Sequence, residues 1–69
     1  QGKLALALEY LRKAYEKQPE NEIAAHIAEV LWEMGDKKQA RELFDAAFKK
    51  SPDDEYLLEF KKRFLQNGQ

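Results

Sequence analysis

The chain has no cysteine among its 69 residues, so neither a disulfide framework nor a thiolate metal site is open to it. That absence fits an oxidising or a reducing compartment equally. A surplus of charge is missing too: twelve basic and thirteen acidic side chains leave a formal net charge of −1. Without an excess of Lys and Arg, binding to a phosphate backbone has little driving force, and no nucleic-acid partner is expected. No apolar run reaches the roughly 18 residues of a bilayer-spanning helix, which argues against direct membrane insertion by this segment. Histidine, serine and tryptophan occur once each, as His26, Ser51 and Trp32. A single His lacks the partners that a metal site or general acid–base chemistry demands. There is no Gly-rich phosphate loop, calcium loop or zinc pattern either. These residues are therefore expected to be no enzyme and to need no cofactor and no metal.

Glycine and proline are also few, three and two, but their placement is informative. Gly2, Gly35 and Gly68 recur at an interval of 33 residues, as do Pro19 and Pro52. The same offset pairs Ala7 with Ala40, Leu11 with Phe44, Ala14 with Ala47 and Tyr15 with Phe48. It also pairs Ile27 with Phe60 and Leu31 with Phe64. Chain-breaking residues and apolar residues share one period, so the sequence holds about two copies of one supersecondary unit. Such units stack into scaffolds that bind other chains. Apolar residues at 43% are ample for a core. A domain this small nevertheless buries only roughly 60% of its unfolded surface, which predicts modest stability.

Within each copy the apolar spacing is helical, and no strand pattern competes with it. The first segment, 3–18, carries Leu4, Ala7, Leu8, Leu11, Ala14 and Tyr15 at i, i+3, i+4 and i+7. Pro19 follows its end, and Asn21 is the expected N-cap of a second helix. That helix presents Ala24, Ile27, Ala28 and Leu31, and Gly35 stops it. Asp36 then caps a third helix, about Lys37 to Lys50, with Gln39 placed as in a capping box. A turn through Ser51 to Asp54 leads into a fourth helix with Leu57, Phe60, Phe64 and Leu65, expected to fray near Asn67 and Gly68. Turns this short force neighbouring helices antiparallel. The reading is all-α: four helices, comprising the second helix of one repeat (3–18), a full repeat (21–52) and a terminal or capping helix (54–66).

These residues resemble the tetratricopeptide repeat (TPR) family. Its second helix typically carries Ala, a large apolar residue four positions on, Ala three further on, and then Pro. The chain has this pattern twice, as Ala7-Leu11-Ala14-Pro19 and Ala40-Phe44-Ala47-Pro52. The family's first helix is matched by Ala24, Ile27-Ala28, Leu31 and Gly35, with Ala24 smaller than the usual residue. Lys61 stands where a small residue is expected, as at a terminal, capping helix. The stretch from Ile23 to Trp32 is similar to a repeat of bacterial outer-membrane TPR lipoproteins. That likeness implies the periplasm or outer membrane as a compartment, with the cytoplasm left open. The opening Gln-Gly-Lys, without Met, reads as a piece of a longer protein.

The resemblance implies a protein–protein interaction module, an adaptor or scaffold, whose first helices line a concave groove. On this chain the groove face carries Glu22, Ala25, His26, Glu29, Trp32 and Glu33, with Glu55, Leu58, Glu59, Lys62 and Leu65 expected from the fourth helix. Three glutamates beside a Trp favour a basic or apolar peptide or partner helix, with Trp32 as anchor. The blander reading makes the glutamates a solvated face and packs Trp32 on a neighbouring helix. Family members that clamp a free C-terminal carboxylate use Lys and Asn here. Ala25, Glu29 and Glu33 fall at those places, so that mode is not expected. The alternative function is a terminal cap of a longer solenoid with no direct ligand. Leu4, Leu6 and Tyr10 lie on a helix side that lacks a partner, where self-association into a homo-oligomer is the sharper expectation and fraying the blander one.

Overall fold

The structure, a computed structural model, describes residues 2–66 and consists of helices joined by short turns. In order they are α1 (Gly2–Lys17), α2 (Asn21–Glu33), α3 (Lys37–Lys50) and α4 (Glu55–Phe60), the last continuing as a π-helical segment over Lys61–Leu65. Among the described residues there is no strand, and the expected all-α array of about two repeats is present. The expected fraying at Asn67 and Gly68 lies outside the described residues.

α2 is the hub. It packs on α1, α3 and α4, whereas α1 and α3 show no close backbone approach to each other. The core accordingly takes Ala24, Ala25, Ile27, Ala28 and Leu31 from α2, Ala40, Phe44 and Ala47 from α3, and Leu57 and Phe60 from α4. Ala28 and Ala40 are 1% and 0% exposed, so the small side chains sit in the core beside rings that fill the remaining volume. Phe44 stacks on Phe48 with centroids 5.0 Å apart and meets Phe60 at 5.4 Å.

Gly35 terminates α2 with φ at +93°, the left-handed region that a Cβ disfavours. Its N–H donates to the Trp32 carbonyl at 3.0 Å, and the Asp36 N–H donates to the Leu31 carbonyl at 2.9 Å. Those two bonds are a Schellman closure, which satisfies carbonyls the helix end would otherwise leave open. Asp36 then caps α3: its Oδ1 accepts from the Gln39 backbone N–H at 3.2 Å. The Gln39 amide completes a variant of the capping box by donating to Asp36 Oδ2 at 2.7 Å, since the Asp36 N–H is already spent on α2.

Two local expectations change. Asn21 does not cap α2; Glu20 holds the cap position without a side-chain bond. The Asn21 amide instead donates to Asp54 Oδ1 at 3.2 Å, while Asp54 Oδ2 caps α4 by accepting from the Leu57 N–H at 3.0 Å. Asn21 and Asp54 stand 33 residues apart, so one carboxylate ties the starts of α2 and α4 together. The fourth helix is also not α-helical throughout. After Phe60 it widens, with the Gln66 N–H donating to the Lys61 carbonyl at 2.8 Å. The widening coincides with Lys61, which stands where α2 has Ala28. Its Nζ lies over the Phe48 ring at 5.3 Å.

Candidate functional site

Along α2, Glu22, His26, Glu29 and Glu33 follow one another at i, i+4, i+7 and i+11, which puts them on one stripe of the helix. Glu22, His26 and Glu33 are exposed, and Glu29 is half-buried. Beside this stripe runs a cleft of about 90 Å³ between α2 and α4. Ala25, His26 and Glu29 line it from α2, and Tyr56, Glu59 and Arg63 face them. The floor is aromatic, made by Phe60 and Phe64. Arg63 Nη2 reaches Glu29 Oε2 at 3.4 Å, and its guanidinium lies 4.9 Å from the Phe64 ring.

Trp32 is half-buried rather than free-standing. Its ring meets Phe60 edge-on at 6.1 Å and Phe64 at 5.8 Å, and Lys37 Nζ lies over it at 5.1 Å. Ala25 is only 7% exposed and serves the core as much as the cleft wall. Leu58 and Lys62 are exposed but do not line the cleft. They are the repeat equivalents of Ala25 and Glu29, which turn towards α4, and no further helix follows α4 among the described residues. Tyr56 and Arg63 line the cleft although the groove face read from the sequence omits them. The apolar stripe Leu57, Phe60 and Phe64 has two flanks, and only the position of α2 decides which of them faces the cleft.

On the opposite side of α2, a wider groove separates α1 from α3. Ile27 and Leu31 floor it, Arg12, Tyr15 and Glu16 form one wall, and Gln39, Glu42 and Leu43 form the other, around about 450 Å³. It is larger than the cleft, its rim sets Arg12 against Glu16 and Glu42, one net negative charge, and Arg12 Nη2 donates across it to Gln39 Oε1 at 3.3 Å. Its lining has the same net sign as that of the cleft, and the cleft is set apart by Glu22 and Glu33, which extend the acidic stripe of α2 beside it. On α1, Leu4 is half-buried, whereas Leu6 and Tyr10 are 68% and 73% exposed. No group of three or more His, Cys, Asp or Glu side chains among the described residues could hold a metal ion.

The antiparallel helix pairs, the alanine crossings and the 33-residue period have a counterpart among known families: the tetratricopeptide repeat model matches residues 1–63. The chain belongs to the tetratricopeptide repeat family. No curated protein and no solved structure matches it. TPR units generally mediate protein–protein interaction and are typically non-catalytic scaffolds.

Proposed function

We propose that this TPR unit holds a basic, partly apolar segment of a partner protein along the acidic stripe and cleft of α2 and α4. The observation that carries this reading is the clustering of charge. Glu22, Glu29 and Glu33 share one stripe, Glu59 stands across the cleft, and Arg63 is the one Lys or Arg lining it. A cationic segment would find complementary charge at the rim and aromatic surface at the floor. A free C-terminal carboxylate would meet like charge at Glu29. Trp32 does not line the cleft and contributes from behind it, through the ring contacts with Phe60 and Phe64 that hold the floor. Selection from a displayed peptide library tests the reading, with wild-type protein and the Glu22→Lys/Glu29→Lys/Glu33→Lys variant as baits. Wild type should enrich Lys- and Arg-rich sequences that the variant, shown to be folded, no longer enriches. Equal enrichment by both baits would refute the cleft.

A second reading is that α4 closes a longer solenoid as its cap. Lys61, laid over Phe48 at the place of a small residue, supports it, because a following second helix would have to bury that ammonium. A third contact mode is self-association through Leu6 and Tyr10, the two most exposed large apolar side chains among the described residues. Sedimentation of wild type beside Leu6→Lys/Tyr10→Lys should show the variant monomeric where wild type associates.

A further inference from the structure

We infer that Arg63 is an internal occupant of the cleft, a stand-in for the partner's cationic side chain that the partner must displace. This rests on the acidic-cleft reading above and adds a mechanism to it. Three observations on different links of the chain meet at this residue. By sequence, Arg63 is the repeat equivalent of Val30, so the basic group is peculiar to α4 and is not a repeated structural need. By geometry, its guanidinium bridges to Glu29 at 3.4 Å across the cleft and rests 4.9 Å from the Phe64 ring, which is where an arriving arginine would sit. By local structure, it belongs to the π-helical segment Lys61–Leu65, a geometry poorer than the α-helix and used in single turns.

The hold on Glu29 is weak enough to be exchanged. The Arg63 and Glu29 side chains are 51% and 29% exposed, and pairs open to water contribute little. Displacement therefore costs a partner a small factor in affinity, while a segment without a cation cannot recover the contact that Glu29 loses. Arg63 thereby acts as a selectivity filter, discouraging neutral segments and admitting basic ones.

The test is fluorescence anisotropy at low salt with a labelled, N-acetylated and C-amidated octapeptide of alternating arginine and leucine. Arg63→Ala should bind this probe about two- to five-fold more tightly than wild type, the range expected for freeing an exposed ion pair. Lys62→Ala makes the same change in net charge outside the cleft and should shift affinity by clearly less. In a Glu29→Gln background the gain from Arg63→Ala should shrink to the Lys62→Ala value. If Arg63→Ala loses helicity, Arg63→Gln replaces it, since the longer side chain keeps the aliphatic packing. The inference is overturned if the Arg63 and Lys62 variants behave alike, or if the gain survives intact in Glu29→Gln. The charge-reversed triple variant separates the two levels. Binding lost there but unaffected at Arg63 leaves the cleft standing without its occupant, whereas binding unchanged in the triple variant removes both.

Discussion

α1 and α3 carry the same pattern 33 residues apart, yet only one of them is buried. Ala40, Phe44 and Ala47 are 0%, 4% and 7% exposed, while Ala7, Leu11 and Ala14 are all half-buried and α1 contributes nothing to the buried core. The difference lies in the neighbours. α3 is held between α2 and α4, but α1 has a close backbone approach to α2 alone and meets α3 through the Arg12–Gln39 side-chain bond. A helical apolar stripe therefore specifies a helix and the face it will bury, and the number of helices laid against that face decides how much it stabilises.

The sharpest way to break this contrast is to delete the equivalent large side chain in each helix. Phe44→Ala removes a ring packed between Phe48 and Phe60 and should destabilise by about 3–5 kcal/mol, a large share of what so small a domain has. Leu11→Ala should cost only about 1–2 kcal/mol, because part of that burial is already missing. Urea unfolding followed by far-UV circular dichroism gives both values; equal losses would mean that α1 is as tightly held as α3. Gly35→Ala should cost about 1–2 kcal/mol from the left-handed backbone alone, since no atom lies within 4 Å of the added Cβ. Its midpoint in the same assay, compared with that of a Gly2→Ala control at the open start of α1, isolates the turn. Asp54→Ala removes a cap and an inter-repeat bond together and should cost about 1–2 kcal/mol. Asn21→Ala removes only the inter-repeat bond and should cost about 0.5–1 kcal/mol. If the two losses match in thermal unfolding, the cap contributes nothing and the tie between repeats is the whole effect.

Much of this fold could be read from residues alone. Gly35, Asp36 and the alanine spacing each impose a local conformation whatever surrounds them, so helix ends and buried faces follow directly. Asn21 shows where that stops. Its Oδ1 suits an N-cap acceptor, but the helix begins one residue earlier with Glu20 at the cap, and Nδ2 donates to Asp54, which only the stacking of the repeats brings within reach. The π-helical turn after Phe60 likewise has no signature in spacing, because it is a single turn and Phe60, Phe64 and Leu65 at i, i+4 and i+5 fit either kind of helix. For the candidate cleft, the acidic stripe of α2 is visible in the i, i+4, i+7, i+11 run. The opposing wall was legible only in part: Glu59 fits the expected face, while Tyr56 and Arg63 line the cleft in place of Leu58 and Lys62. Repeat equivalence carries a position faithfully from one unit to the next, but it does not carry the neighbour that the position faces.

Backbone amide shifts, recorded while the arginine–leucine octapeptide is titrated into the labelled protein, test most directly that recognition belongs to the α2–α4 cleft. Saturable shifts should cluster at His26, Glu29 and Trp32 and at Glu59 to Phe64, with Arg12, Glu16, Gln39 and Glu42 silent. Shifts centred on the α1–α3 groove, with the cleft unperturbed, would contradict the account.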